Sequence, residues 1–131
     1  RVLFRSKDVK ATEHTHGMFA TIAAMYGELL PTTPPQAEFV PVGIVPFTMP
    51  GSDEVADRVV EALGETGRAV LIKNHGLFCC GKDMKAAMSA TVYTEEMAQT
   101  SYYAKAAGVF QPMPEEAVRK MKELIAADQA V

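Results

Sequence analysis

The stretch from Pro31 to Pro50, PTTPPQAEFVPVGIVPFTMP, holds six of the chain's eight prolines. Proline has no backbone donor and its ring collides with the preceding helical turn, so a helix cannot run through such a stretch and a central strand rejects it. The segment is expected to exclude helix and to leave only short extended pieces, around Phe39 to Val40 and Gly43 to Phe47. Regular structure must therefore form on either side of it.

Before the prolines, VKATEHTH (Val9 to His16) combines β-branched residues with period-two alternation, and GMFATIAAMYGELL carries a helical pattern, so a strand running into a helix is predicted. After them, a helix should begin near Ser52, with Asp53 and Glu54 in its first turn, present Val55, Val59, Val60 and Leu63 on one face and stop at Gly64. RAVLIKN and GLFCCG read as two strands joined tightly through Asn74, His75 and Gly76, the first an almost unbroken apolar run typical of a buried strand. Asp83 can cap a long helix through about Ala107, with Met84, Ala87, Met88, Ala90, Val92, Met97 and Ala98 toward the core. Pro114 starts a last helix with Ala117, Val118, Met121, Leu124 and Ile125 on its face. This order of elements predicts an α/β layer architecture with helices over a central sheet, and 131 residues predict one domain spanning 1–131.

Charge and cysteine usage narrow the function classes. A net charge of −3 with 13 scattered basic residues offers no basic stripe for nucleic acid and no like-charge block for a membrane surface. The longest apolar run, AVLI, is far too short to span a bilayer, and RVLFRSKD lacks the apolar core of a signal peptide, so a soluble cytoplasmic protein is expected. The opening RVLFRS instead reads like the last turns of an amphipathic helix that starts earlier. Cys79 and Cys80 are adjacent on a predicted strand and point to opposite faces, which disfavours a bond between them and suits two small core residues in a reducing compartment.

The chain has only three histidines. On a strand, His14 and His16 share a face while Glu13 and Thr15 take the other, and the two imidazoles stand roughly 7 Å apart at Cα. That spacing suits chelation of one ion by both rings, and His75, at another strand end, is the histidine left to make three ligands with an open position. A His-x-His pair is also common on a solvated strand face, so spacing alone leaves both readings open.

The segments EHTHGMFATIAAM, AVLIKNHGLFCCGKDMKAAM and TEEMAQ agree in content, order and separation with the class II aldolase and adducin family, which includes fuculose-phosphate aldolase and ribulose-phosphate 4-epimerase. The chain resembles that family over nearly all of its length. The resemblance implies a mainly antiparallel central sheet covered by helices on both faces. It also implies that His14, His16 and His75 bind a divalent metal, usually zinc, acting as a Lewis acid that stabilises the enediolate formed when a hydroxy-carbonyl compound is cleaved. The implied function is a metal-dependent lyase acting on a small sugar phosphate, in a homo-oligomer, commonly a tetramer. An epimerase or dehydratase would use the same intermediate, and a non-catalytic binding module like adducin's head is the alternative from another class.

Relative to the family, the sequence is expected to be N-terminally truncated and to represent the C-terminal portion of the family's domain. The family's Gly-Asn loop for the substrate phosphate and its acid-base carboxylate would lie upstream of Arg1, which leaves the catalytic residues of this chain unassigned. Glu13 does not replace that carboxylate, because strand alternation turns it away from the histidines and makes it an exposed or edge residue. Tyr26, Tyr93, Tyr102 and Tyr103 are expected to be packing groups rather than proton donors. The tail AADQAV offers neither the tyrosine nor the histidine through which a neighbouring subunit contributes in the family's enzymes.

Overall fold

A computed structural model of the chain describes residues 8–27 and 29–129. The helix reading of RVLFRS falls on residues outside that range. Nine elements follow one another: β1 (Ala11–Thr15), α1 (Met18–Tyr26), α2 (Pro34–Ala37), β2 (Ile44–Val45), α3 (Asp53–Leu63), β3 (Ala69–Ile72), β4 (Gly76–Gly81), α4 (Met84–Ala106) and α5 (Glu115–Gln129). The strands form one sheet in the order β1-β4-β3-β2. β1 and β3 each pair antiparallel with β4, and β2 pairs parallel with β3. The parallel pair is joined through α3, because two parallel neighbours need a crossover rather than a hairpin.

Alternation along β3 and β4 divides the core in two. Ala69, Leu71, Leu77 and Cys79 pack against Ala20, Ala23 and Ala24 of α1 and Ala90, Met97 and Ala98 of α4. Val70, Ile72 and Cys80 pack against Val59 and Leu63 of α3. Helices thus cover both faces of a mainly antiparallel sheet, and the adjacent cysteines lie in opposite layers as free, buried thiols. Leu71 and Leu77 are register partners and each only 1% exposed, a burial that favours the folded chain by roughly 1.5–3 kcal/mol per side chain.

The helix boundaries follow local chemistry. Ser52 accepts from the Val55 N–H at 3.3 Å to start α3, and Gly64, with a φ of 56°, ends it. Asp83 accepts from the Ala86 N–H at 2.7 Å to start α4. α1 stops at Tyr26, short of the predicted extent.

Several expectations need correction. The proline segment does contain a helical turn, α2: Pro34 and Pro35 sit at its N-terminus, where a missing N–H costs nothing and the fixed φ is already helical. Buried Gln36 secures that turn, its Oε1 accepting from Thr32 N at 2.9 Å and Thr32 Oγ1 at 3.0 Å while its Nε2 donates to Glu96 Oε1 at 3.1 Å. Of the two expected extended pieces only Ile44–Val45 joins the sheet, whereas Phe39 N donates to Gln36 O in a turn.

Met84, Met88 and Val92 of α4 are exposed rather than in the core. They recur at i, i+4 and i+8 and so form a stripe of their own, while the face against the sheet and α1 is built from small residues, Ala87, Ala90, Thr94, Ala98 and Ser101, with Met97. Short side chains let α4 approach the sheet closely. On α5, Leu124 is likewise exposed. No helix among the described residues is long and apolar enough to cross a membrane.

Candidate metal centre

β1 ends beside the β3–β4 turn, and that juxtaposition builds the site. The register sets His14 opposite Phe78 and Thr15 opposite Leu77, so the end of β1 lies next to the loop that precedes Gly76. In that loop the His75 N–H donates to Ile72 O at 3.1 Å and Asn74 takes a φ of 54°, a left-handed conformation that Asn tolerates better than most residues. The turn thereby swings the His75 ring back over β1.

The three imidazoles converge. His14 Nε2 lies 3.1 Å from His75 Nε2 and 3.0 Å from His16 Nε2. Ring centroids are 4.8 Å apart for the two pairs that include His14 and 5.2 Å for His16 and His75. His14 Nδ1 stands 2.9 Å from Leu77 O. A carbonyl only accepts, so Nδ1 carries the proton and Nε2 of the neutral ring presents a lone pair to the other two.

This donor set fits a small divalent cation. A tetrahedral zinc with bonds of about 2.0–2.1 Å to each nitrogen would need nitrogens separated by about 3.3–3.4 Å, within a few tenths of an ångström of the two spacings found. Three nitrogens and no thiolate or carboxylate make up the cluster among the described residues, a set that suits zinc and related first-row ions. The backbone carbonyl behind His14 supplies the outer partner that metal-bound imidazoles ordinarily have. His75 is pushed below the ordinary histidine value of 6.5, first by burial and then by the nearby His14 and His16, which favours the neutral, ligating form.

A cavity of about 360 Å³ opens beside His14 and His75. Its walls are apolar, contributed by Val55, Val59 and Val60 of α3 together with Ile72 and Phe78 of the sheet. His14 therefore lies on the α3 side of the sheet, where alternation along β1 directs it. Glu13 points the other way, and its Oε2 accepts from Thr91 Oγ1 of α4 at 3.0 Å. It is half-buried beneath α4 rather than exposed.

Of the four tyrosines only Tyr93 packs against the core, whereas Tyr26, Tyr102 and Tyr103 are exposed rather than packing groups. Tyr93 stacks on Phe39, with ring centroids 5.3 Å apart and planes 4° from parallel. Tyr102 and Tyr103 meet Phe19, and Lys105 Nζ sits 5.5 Å from the Tyr26 ring centroid.

Two further residues shape the site in ways the sequence pattern does not show. Gly76, with a φ of 156°, lies so close to β1 that an added Cβ would overlap Thr15 O and come within 3.1 Å of His16 Cδ2. Glu95 caps the start of α1, accepting from Phe19 N and Ala20 N at 2.8 Å each. The missing N-cap side chain at Gly17 is the one local signal for such a remote cap.

A family model described as Class II Aldolase and Adducin N-terminal domain matches residues 1–102. An L-fuculose phosphate aldolase from Methanococcus maripaludis is 33% identical over 103 residues, covering 76% of this chain and 56% of that protein. A 5-deoxy-D-ribulose 1-phosphate aldolase from Bacillus thuringiensis is 29% identical over 119 residues, covering 89% of this chain and 55% of the relative. The chain thus spans about half the length of the curated relatives it matches. A solved L-fuculose 1-phosphate aldolase superposes with a TM-score of 0.79 at 26% identity, over 91% of this chain and 57% of that one.

Proposed function

The chain belongs to the class II aldolase and adducin family, and from that premise we propose that it acts as a metal-dependent aldolase-type lyase on a small sugar phosphate, with His14, His16 and His75 holding the ion. The observation that carries this reading is the meeting of three imidazole Nε2 atoms at 3.0 and 3.1 Å. Relatives named as aldolases of fuculose phosphate and deoxyribulose phosphate support the substrate class.

Zinc, which commonly takes three nitrogen ligands with one open position, is the ion of this reading. His14, His16 and His75 as neutral imidazoles would hold such an ion without cancelling its charge, and it would there supply Lewis-acid chemistry toward a substrate carbonyl. The protein's part is to hold the ligands ready. Leu77 O keeps the proton of His14 on Nδ1, the β3–β4 turn presents His75, and the β1–α1 junction presents His16. The apolar walls from α3 and the sheet flank one side of the cluster. The reading extends to a homo-oligomer in the cytoplasm, the first part of which light scattering tests.

One observation favours a second reading. Proton transfer needs a group within reach, and the cluster includes no carboxylate among the described residues. The second reading is a binding module of the same fold that holds metal without turnover.

The test loads the purified chain with zinc and incubates it separately with L-fuculose 1-phosphate and 5-deoxyribulose 1-phosphate, following release of dihydroxyacetone phosphate. Metal at one equivalent together with that product is the expected result. Metal without product moves the conclusion to the second reading, and failure to retain any divalent ion overturns the first.

A further inference from the structure

Glu95 reaches from the middle of α4 to the first turn of α1. Its Oε1 accepts from the Phe19 N–H and its Oε2 from the Ala20 N–H, each at 2.8 Å. A helix is ordinarily closed at this end by the side chain of its own N-cap residue, whose oxygen takes one of the unpaired N–H groups. α1 has Gly17 at that position and hence no side chain to use. A Cβ on Gly17 would overlap the Glu95 carboxylate. The bare glycine and the distant glutamate are two halves of one device, and the carboxylate also places negative charge at the positive end of the helix dipole.

The device sits one residue from the histidine cluster. Gly17 follows His16 directly and is the joint at which β1 becomes α1. Pairing with β4 holds the chain as far as Thr15, and beyond it the direction of the backbone is set by where α1 begins. That direction decides whether His16 Nε2 arrives beside His14 Nε2. Glu95 is not itself a member of the cluster, so it does not act as a ligand.

We propose that Glu95 is a positioning residue for the histidine centre: by capping α1 in place of the side chain Gly17 lacks, it holds His16 where its Nε2 meets those of His14 and His75. The proposal rests on the metal-binding reading above and adds to it a residue from a third element, α4.

The test is a calorimetric titration of the full 131-residue chain with zinc alone. Four proteins are compared: the unsubstituted chain, Glu95→Gln, Glu95→Ala, and the double variant Gly17→Ser/Glu95→Ala. Thermal unfolding and hydrogen exchange at the Phe19 and Ala20 amides are measured on each. The double variant rebuilds the cap locally, since Gly17 has an extended φ of −53° and ψ of 136° that serine adopts freely, and the alanine vacates the space its Cβ would enter.

Glu95→Ala is expected to weaken zinc binding about 10–100-fold, the range for losing a group that orients a ligand, and to speed exchange at the two amides. Glu95→Gln, which keeps one acceptor oxygen in the same volume, should lie between. The double variant should recover both amide protection and most of the zinc affinity. Unchanged zinc affinity in a folded Glu95→Ala chain overturns the proposal and leaves the metal reading standing. Restored amide protection without restored affinity also overturns it, because the carboxylate would then act by some route other than the cap. If the unsubstituted chain takes up no zinc, the metal reading fails and the proposal falls with it.

Discussion

His14 and Leu77 are linked across the β1–β4 pair by a hydrogen bond of 2.9 Å from the imidazole Nδ1 to the backbone carbonyl. The bond dictates a tautomer: with its proton committed to Leu77 O, His14 turns an unprotonated Nε2 toward both His16 and His75. Because the acceptor belongs to the backbone of a central strand, no side-chain change at position 77 removes it. The centre is thus tied to the sheet.

Replacing His75 with Ala should leave the fold intact and reduce zinc affinity by more than about 100-fold, beyond the range for losing only an orienting partner. His75 belongs to a surface turn and contributes little to either core cluster, so above the ordinary histidine value of 6.5 circular dichroism and thermal unfolding of the metal-free variant should match the parent. Undiminished zinc binding by calorimetry would remove His75 from the site.

Gly76→Ala should do two kinds of damage. The left-handed φ of 156° and the overlap with Thr15 O strain the backbone, at a cost of about 1–3 kcal/mol. The methyl group also presses on the His16 ring. Lower urea midpoints and weaker zinc binding are both expected. Gly43→Ala is the control, because nothing lies within 4 Å of the added atom and no left-handed φ is involved; equal losses in the two variants would contradict the account.

Glu13→Gln should leave zinc affinity unchanged, although the residue lies next to His14 in sequence. Its carboxylate meets Thr91 Oγ1 on the opposite side of the sheet, and a glutamine keeps an acceptor there, so stability should move by no more than about 0.5 kcal/mol. A large fall in metal affinity would mean that Glu13 communicates with the site across the sheet.

Acid should destabilise the metal-free chain through His75. Its folded value is depressed by burial and by the two neighbouring histidines below the ordinary 6.5. Between the depressed value and 6.5 the unfolded chain binds more protons than the folded one, so stability rises with pH across that window. It should fall as the pH drops through 6.5 and level off, for this group, below the depressed value. Urea midpoints measured across this range for the parent and for His75→Ala check the point: the parent's slope should exceed the variant's, and identical slopes would refute the assignment.

Much of this architecture was legible in the sequence because it rests on interactions between near neighbours. The unbroken apolar run Ala69–Ile72 is typical of a strand covered on both faces, Ser52 and Gly64 bracket α3 with their own side chain and backbone, and period-two alternation places His14 and His16 on one face while turning Glu13 to the other. The resemblance carried by the histidine motifs supplied the family. Relations between distant segments were decided by the tertiary structure alone. Pattern marks Met84, Met88 and Val92 as apolar, but which stripe of α4 meets the sheet depends on how closely alanines let the helix approach. The helical turn at Pro34 is tied to the rest of the fold by Gln36, which bonds Thr32 and the distant Glu96. Spacing brings two imidazoles together, whereas the third reaches them through the antiparallel register of β1 and β4 and the reversal at Asn74. Glu95 stands far from Gly17 in the chain, and only folding makes its carboxylate the cap that a glycine cannot provide.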